Sequence, residues 1–546
     1  MCIRDSLQTA AVIGTEVSFP LLQTVADMAP ESLHRSLAQL QGAEFLYETH
    51  LFPERVHTFK HALTQSVAYQ SLLTSTRQQV HRQIAQALET LFPETVETQP
   101  ELLAHHYTAA ALYEPAVAYW QRAGQRALAR SANLEAINHV TTGIELLKTL
   151  PETPEHTQHA LTLHIALGAA LLVTKGHAAP EVERAYTQAH ALCQQVGETL
   201  QLSPVLFGLW RFYLVRSQLH TARELGEALM RLAQHTDDPT LAVIASYALG
   251  STWLWLGALP AARQHLEEGI AHYTPDQHRA LMFRMGQYTG VAYRANAVHP
   301  LWLSGYPEQA LARLHDTLAS AHELSHSDSL ASTRYWAAFD SQLRRDAQAV
   351  HEHAEAAVTL STEQGFPLWL AGGTILRGWA LAMQGQGEEG MAQVRQGIAA
   401  WRATGAVLHI PYFCTLLADV AAHLGHTADG LQALTEACTL VEQHEERYWE
   451  AEVCRLRGVL LLRQPGTSQA EVEAWLQRAL DVARRQEAKS LELRAAMSLS
   501  RLWQQQGKQD AARALLVPVY GWFTEGFDTA DLQEAKGILK ELGGEQ

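Results

Sequence analysis

Turn signals that recur at a fixed interval are the feature that most constrains how this chain can fold. The intervals between successive glycine turns are 80, 40 and 82 residues, and a weaker turn signal lies near the middle of each long interval. Because self-similarity at a fixed period marks stacked supersecondary units, this spacing predicts a repeat array with a period of about 40 residues. The glycines are Gly305, Gly385, Gly425 and Gly507, and the weaker signals are Arg344-Arg345-Asp346 and Pro465-Gly466.

Each repeat has the composition of two helices joined by a tight turn. Small residues allow the paired helices to approach closely, a glycine supplies the turn, and a proline ends the unit. This is the pattern of tetratricopeptide repeats, although the usual period of those repeats is about 34 residues. The clearest copy consists of Leu249, Gly250, Trp253, Gly257, Ala262, Leu266 and Pro275.

The region 96–546 is therefore predicted to be an all-α, tetratricopeptide-like α-solenoid of about ten to eleven helical hairpins. The spacing is irregular at Pro151–Pro154 and at Gly286–Gly290, and the second irregularity predicts a bend or a lid. We expect one block of repeats over 96–285 and a second block, with the period of about 40 residues, over 286–546. Stacked repeats of this kind leave a concave face on which partners bind.

The first part of the chain follows a different pattern. A helix with one apolar stripe is followed by two short strand candidates, 44–49 and 55–60, which predict a hairpin. Helices, a hairpin and a further helix together predict a small winged-helix domain over 7–95, and residues 1–6 match nothing. The apolar positions in these patterns are Leu33, Leu37 and Leu40 on the helix and Phe45 and Tyr47 on the first strand.

The charge balance argues against nucleic acid as a partner. The whole chain has a formal net charge of −16, and residues 1–95 carry six Lys and Arg against nine Asp and Glu. The helix that would enter a groove, 31–41, offers only His34 and Arg35. Because phosphate binding needs a basic face, we predict no nucleic-acid partner and a structural or regulatory role for the winged-helix region.

The cysteines and the hydropathy pattern predict a cytoplasmic chain without a membrane partner. An odd number of cysteines without a C-x-x-C motif predicts free thiols in a reducing compartment. No apolar run approaches the roughly 18 residues of a membrane helix, and the start, Met1–Ser6, lacks the apolar core of a signal peptide. The five cysteines are Cys2, Cys193, Cys414, Cys438 and Cys454.

The motifs of common enzymes are absent from the sequence. No phosphate-loop motif or nucleophile elbow is present. The G-x-G-x-x-G stretch at Gly385–Gly390 follows a predicted helix and is interpreted as a repeat turn. His105 and His106 point to different helix faces, and paired carboxylates such as Glu445-Glu446 are expected to be solvated. The sequence therefore predicts no catalytic residue, no cofactor-binding residue and no metal site, and most of the 28 histidines are expected to be exposed.

Aromatic and arginine side chains are the candidates for partner binding. The chain has 13 tryptophans, which is many for a helical protein. Most of them are expected to fill the space between helices, but a subset can line the concave groove and hold a protein, a peptide or a small ligand. The candidate groove residues are Trp210, Arg211, Tyr213, Trp253, Trp255, Trp302, Trp336, Trp369, Arg377 and Trp379.

Several strings resemble one family of bacterial regulators. The chain is similar to the C-terminal winged-helix and tetratricopeptide region of signal-transduction (STAND/AAA-type) ATPases, which are often fused to class III adenylate or guanylate cyclase domains. The resemblance covers about 7–540. The strings that carry it are Phe59–Gln65, Val67–Tyr69, Ser71–Leu73, Pro100–Tyr107, Gly378–Ala382, Gly405-Ala406, Ala488–Ala496 and Trp522–Thr529.

The resemblance implies a non-catalytic regulatory arm. In that family the ATPase and cyclase domains lie upstream, so they would be intramolecular partners of this region, and no catalytic residue is carried over. Two alternatives remain open: a stand-alone tetratricopeptide scaffold, and a fragment of an ATPase-type transcription activator. The second alternative is disfavoured by the acidic charge.

Overall fold

The computed structural model describes residues 3–26, 28–50, 55–197, 201–272, 274, 289–324 and 326–543. These residues form 28 helices and three short strands, which confirms the predicted all-α class and its tetratricopeptide-like helical hairpins. The chain divides into two compact units. Unit 1 consists of Met1–Leu167 and Ala191–Gly197, and unit 2 consists of Gly168–His190 and Glu198–Gln546.

Unit 1 begins with helices that alternate with the three strands and continues as helices alone. Its elements are α1 (Ile3–Ile13), β1 (Glu16–Ser18), α2 (Phe19–Ala26), α3 (Pro30–Gly42), β2 (Leu46–His50), β3 (Val56–Phe59), α4 (Ala62–Gln70), α5 (Thr74–Leu91), α6 (Pro93–Thr98), α7 (Pro100–Ala109), α8 (Tyr113–Ala129) and α9 (Asn133–Leu147). Helices α10 (Pro154–Lys175) and α11 (Pro180–Val196) contribute residues to both units.

The strands form one antiparallel sheet in the order β1-β3-β2. The predicted hairpin is confirmed as the pair β2 and β3, and the loop 51–54 between them lies outside the described residues. The side-chain alternation on β2 is the reverse of the prediction, because Phe45 and Tyr47 are 40% and 47% exposed. Leu46 is buried opposite Phe59, and this pair packs into the core. Phe45 and Tyr47, on either side of Leu46, therefore face solvent.

Unit 2 is a succession of helical hairpins. After the shared helices its elements are α12 (Leu202–Val215), α13 (Leu219–Thr236), α14 (Pro239–Trp255), α15 (Leu259–His272), α16 (Thr289–Leu303), α17 (Pro307–Leu324), α18 (Ser327–Leu343), α19 (Ala347–Gln364), α20 (Pro367–Met383), α21 (Gly387–Ala403), α22 (Ile410–Leu424), α23 (Thr427–His444), α24 (Glu450–Leu462), α25 (Gln469–Arg485), α26 (Lys489–Gln505), α27 (Gln509–Tyr520) and α28 (Ala530–Glu541).

The turns within the hairpins confirm the predicted period. Each of them has a residue with positive φ, and their intervals are 40, 48, 40, 40, 40, 41 and 41 residues. The turn expected near 344–346 is present, with Arg345 at φ 62° in place of a glycine. The interval of 48 residues contains 275–288, so Pro275 and most of the predicted bend at Gly286–Gly290 lie outside the described residues. The turn residues are Ser217, Gly257, Gly305, Arg345, Gly385, Gly425, Gly466 and Gly507.

The two helices of a hairpin differ in burial, and this difference defines an inner layer. In α14, 13 of 17 residues are buried and none is charged, whereas in α13 only 5 of 18 are buried, along one stripe. A helix that is apolar on all sides must be enclosed by other helices. The first helix of each hairpin, from α12 to α26, is therefore called an inner helix below.

Helix α10 is long and apolar enough to cross a membrane by length and composition, although the sequence had suggested no such segment. Its apolar residues are interrupted by glycine, threonine and histidine, so no continuous run is visible. Of its most apolar window, 44% is buried inside the protein, and a core helix passes the same test. Cys414, Cys438 and Cys454 are free thiols, as predicted.

Hairpins that are far apart in sequence touch within unit 2. The carbonyl of Val215 accepts hydrogen bonds from the amides of Val407 and Leu408, both at 2.9 Å, and the carbonyl of Trp255 accepts one from the Arg447 amide at 2.8 Å. Other such contacts join residues separated by 186 to 229 positions. With a period of about 40 residues, hairpins about five repeats apart lie against each other. These contacts are called the inter-turn contacts.

Candidate binding site on the inner helices

A buried cluster of acidic, aromatic and imidazole side chains lies among the inner helices of unit 2. Every member is less than 9% exposed, and neighbouring ring centroids are 4.6 to 6.3 Å apart. The members come from α14, α16, α18 and the two connections that precede α22 and α24. This acid–aromatic cluster consists of Trp255, His299, Trp336, Asp340, His409, Glu446 and Tyr448.

Glu446 is a carboxyl group without a cationic partner among the described residues. It accepts a hydrogen bond from the backbone amide of His409 at 2.9 Å and one from the Ser217 hydroxyl at 3.2 Å. Burial raises its pKa to about 8, and the two hydrogen bonds oppose that shift only in part. At neutral pH the group therefore carries its proton for most of the time.

Asp340 is the second acid of the cluster. Its Oδ1 atom lies 2.9 Å from Nδ1 of His299, and both side chains are buried. Burial raises the pKa of Asp340, and the neighbouring His299 acts in the opposite direction. The ring of Phe339 stacks on the imidazole of His299 with centroids 4.7 Å apart. This pair is therefore enclosed by apolar surface.

His409 contacts Glu446 through its backbone and Tyr335 through its ring. Its φ of 74° places it in the left-handed region, and its amide donates to Glu446. Its Nδ1 atom lies 3.3 Å from the hydroxyl of Tyr335. Burial, together with repulsion from His299, lowers the pKa of His409 to about 3, so the imidazole is neutral at physiological pH.

Five polar groups of the cluster have a buried atom without a hydrogen-bond partner among the described residues. Buried polar atoms normally have partners, so a concentration of unpartnered ones is unusual and marks a place that can bind something else. The atoms are Nε1 of Trp255, Nε2 of His299, Oδ2 of Asp340, Nε2 of His409 and the hydroxyl of Tyr448.

The cluster coincides with an inter-turn contact. Glu446 binds Ser217, which lies 229 residues earlier in the chain, in the turn between α12 and α13. The Trp255 carbonyl, at the end of α14, accepts the Arg447 amide beside Glu446. A change at Glu446 therefore acts directly where distant hairpins touch.

The structure brings two of the sequence-predicted groove residues into this cluster. Trp255 and Trp336 stack with centroids 6.3 Å apart. Trp302 lies close by, with the Arg494 guanidinium 4.9 Å above its ring and Trp449 at 6.4 Å. Trp253, two residues from Trp255, is half-buried beneath Arg223 on α13, as the helical spacing requires.

Three other candidate tryptophans are tied into the walls between neighbouring hairpins. Each is buried and donates its indole N–H to a side-chain oxygen, so it serves both packing and hydrogen bonding. Trp210 donates to Thr252 at 3.0 Å, Trp369 to Asp328 at 2.9 Å and Trp379 to Asp419 at 2.8 Å.

The remaining candidates lie apart from the cluster. Arg211 is buried in α12. The hydroxyl of Tyr213 donates to Glu183 at 3.2 Å, and Arg377 binds Gln393 at 2.9 Å and Glu355 at 3.0 Å. Tyr213 and Arg377 therefore already have partners within the protein.

Sequence reasoning missed the polar members of the cluster. The interpretation of Glu445-Glu446 as a solvated pair is wrong for Glu446, which is 1% exposed because the connection before α24 turns it inward. Asp340 follows Ala337, Ala338 and Phe339 on an inner helix, and an acid in such an apolar stretch is a usable signal. Most of the histidines could not be sorted by pattern, and six of those that the structure describes are buried.

Unit 1 contains a buried pair of histidines. Nδ1 of His81 lies 2.8 Å from Nδ1 of His106, and Nε2 of His81 lies 3.1 Å from the Tyr69 hydroxyl. His105 faces solvent while His106 is buried, as their different helix faces require. Within the described residues no group of three or more His, Cys, Asp or Glu side chains is placed to hold a metal ion.

Comparison with known proteins shows one curated relative. No family model matches the chain. An uncharacterized protein of Rhizobium meliloti (strain 1021) is 24% identical over 505 residues, which is 91% of this chain and 48% of the relative. The chain therefore spans about half the length of that relative.

Among solved structures, the chain is similar to a Rap protein complexed with competence and sporulation factor. The TM-score is 0.51 at 11% identity, over 68% of this chain and 98% of that one. A signal-transduction ATPase with a tetratricopeptide repeat sensor from Pyrococcus horikoshii has a TM-score of 0.33 at 11% identity, over 99% of this chain and 64% of that one. The first likeness shows that the chain has a tetratricopeptide-like helical-repeat fold.

Proposed function

We propose that this chain is the non-catalytic sensory arm of a longer cytoplasmic signalling protein. A protein, a peptide or a small ligand binds the inner helices of unit 2, and the signal passes to an ATPase region that is linked to a nucleotide cyclase. The observation that carries the proposal is the position of the acid–aromatic cluster at an inter-turn contact, because a ligand there changes how distant hairpins touch.

The comparisons support the proposal at a coarser level. The Rhizobium meliloti relative is about twice as long as the matched segment, which favours an arm over a stand-alone scaffold. The Rap protein with the same class of fold was solved with a signalling factor bound. An array of this kind is suited to recognising a partner along its inner surface.

The first part of unit 1 is proposed to transmit the signal. The order α1-β1-α2-α3-β2-β3, followed by α4 and α5, with one antiparallel sheet, supports a winged-helix-like domain. The acidic balance of residues 1–95 favours contact with protein over contact with DNA. We therefore assign this winged-helix-like region to coupling between the repeats and the remainder of the longer protein.

The test uses the Rhizobium meliloti relative at full length and a variant that lacks the segment matching α12–α28. We expect the deletion to change the rate of ATP hydrolysis or of cyclic-nucleotide formation. Equal rates in two folded proteins would contradict a regulatory arm. A full-length protein with neither activity would contradict the ATPase and cyclase link.

A further inference from the structure

We propose that the acid–aromatic cluster binds an organic cation, an ammonium or guanidinium group carried by a small amine or by a basic side chain of a peptide. This inference names the ligand class for the site of the proposed function and rests on that function. The observation behind it is the presence of two buried acids, Asp340 and Glu446, within a shell of aromatic rings and without a lysine or arginine partner among the described residues.

The surroundings of the acids are chemically complementary to such a cation. Trp255 contacts the ring of His409, Trp336 contacts the ring of His299, and Tyr448 contacts Trp255. Faces of tryptophan and tyrosine attract positive charge when both are removed from water. A carboxylate in an apolar site gains most from a partner of opposite charge. The net charge of −16 also attracts cations from a distance.

An organic cation fits these side chains better than a metal ion does. The described residues contain no group of three or more metal-ligating side chains, whereas the cluster is mainly aromatic. Its unpartnered atoms include donors as well as acceptors, at Trp255, Tyr448 and the imidazoles. A ligand with a cationic head and neighbouring amide groups can bind both kinds of atom.

Access to the acids requires local separation of the inter-turn contact. The aromatic rings touch one another, with the closest centroids 4.6 Å apart. The contact on one side consists of a few hydrogen bonds, from Ser217 and His409 to Glu446 and from Val407 and Leu408 to Val215. Ligand binding would therefore be coupled to the position of the turn between α12 and α13.

Binding of a cation would release a proton from the Glu446 carboxyl group. The O–H bond breaks, the proton leaves to solvent, and the carboxylate pairs with the ligand. The other titratable groups that interact with Glu446 stay neutral near pH 7. Burial raises the pKa of the Cys414 thiol to about 12 and the pKa values of the Tyr335 and Tyr448 phenols well above their usual value, and it lowers the pKa of His409 to about 3. Among these groups, the one that releases a proton near pH 7 is therefore Glu446.

The experiment titrates the full chain with agmatine and with a blocked Gly-Gly-Arg-Gly-Gly peptide by isothermal titration calorimetry. The matched neutral probe is the same peptide with citrulline in place of arginine. Measurements at pH 6, 7 and 8, in phosphate and in Tris, count the protons released. We expect affinity to rise up to tenfold per pH unit below the pKa of Glu446, and the citrulline peptide to bind at least tenfold more weakly.

Variants separate the roles of the two acids. Glu446→Gln keeps one acceptor oxygen for the His409 amide and replaces the other oxygen with an NH2 group that can donate to the Ser217 hydroxyl. It is expected to weaken cation binding at least tenfold and to remove the pH dependence. Asp340→Asn is the second variant. The control is Glu363→Gln on the exposed side of α19, which is expected to bind like the unchanged chain. Circular dichroism of each variant establishes that it is folded.

Three outcomes would overturn the inference. Equal binding of the arginine and citrulline peptides, both weakened by Trp255→Phe, would show an inner binding site that does not select cations, so the proposed function would stand. Cation binding that is unchanged in both acid variants would place the ligand elsewhere. Absence of binding by a folded chain at millimolar probe would refute the ligand class. Agmatine and peptide affinities distinguish a free amine from a basic peptide as the source.

Discussion

Replacement of Gly390 by alanine should destabilise unit 2, although alanine is the better helix former. Gly390 lies on α21 where this helix meets α20 backbone to backbone. A Cβ atom at Gly390 would overlap the carbonyl oxygen of Gly378 and lie 2.7 Å from the amide nitrogen of Ala382. These are backbone atoms, so neither can move away by rotating a side chain. The two helices must separate instead.

The magnitude follows from two opposing terms. Alanine in a helix interior is favoured over glycine by about 1 kcal/mol, and overpacking of a tight contact costs about 1 to 3 kcal/mol, at the upper end where only backbone can yield. We expect a net loss of about 2 kcal/mol in the free energy of unfolding. The matched control is Gly537→Ala in α28, where a Cβ atom meets nothing within 4 Å and only the gain of about 1 kcal/mol should remain.

Thermal unfolding of the three proteins by calorimetry measures both effects. The melting temperature should fall for Gly390→Ala and rise for Gly537→Ala. Hydrogen exchange should locate the loss in α20 and α21. If Gly390→Ala raised the melting temperature as much as the control does, the close approach of these helices would be refuted. The prediction also bears on the G-x-G-x-x-G stretch, whose last glycine would then serve helix packing.

Three further predictions concern the titration of buried groups and the ion pair between Arg494 and Asp531. Glu446→Gln should raise the free energy of unfolding at pH 7 by about 3 kcal/mol, because a buried acid with a raised pKa opposes folding progressively as pH rises from about 4.5 to 8. Thermal unfolding of both proteins from pH 5 to 9 checks this prediction. The same dependence of melting temperature on pH in both proteins would contradict it. The pKa values of His81 and His106 are lowered to about 4 and 3, so unit 1 should lose stability as pH falls from 6.5 towards 4, and His106→Gln should flatten the loss seen by circular dichroism. The buried Arg494 donates to Asp531 at 2.7 Å and to the carbonyl of Leu343 at 2.6 Å. Arg494→Leu should therefore lower the free energy of unfolding by about 3 to 5 kcal/mol and speed hydrogen exchange in α28. Protection of α28 equal to that in the unchanged chain would contradict a role of this ion pair in holding α28 in place.

The hairpin array could be predicted because its signals are local. Turn residues fix the backbone within a few positions, so the period survived even where Arg345 replaces the glycine of the pattern. The hairpin of β2 and β3 followed from alternation and length. The buried face of this hairpin could not be predicted, because it depends on which residue of β3 lies opposite Leu46, and that residue is Phe59.

The acid–aromatic cluster could be predicted only in part, because its members are brought together by contacts between distant hairpins. Trp255 and Trp336 were candidates on residue type alone. Glu446 meets Ser217 across 229 residues, and nothing near either residue in sequence indicates the other. The burial that shifts the pKa of Glu446 is likewise a property of the closed array rather than of its local sequence.

The inter-turn contacts have a consequence for how unit 2 unfolds. In an open solenoid each repeat touches only its neighbours, so stability is a sum of adjacent terms and the ends fray independently. Here the bonds from Arg345 to Asp531 and from Ser490 to the carbonyl of Trp302 connect the middle of the chain to its last hairpins. Loss of α28 should therefore weaken α18 as well, and long-range closure of this kind slows folding while making unfolding more cooperative. Successive truncation from the carboxyl end should produce a sharp loss of structure rather than a gradual one.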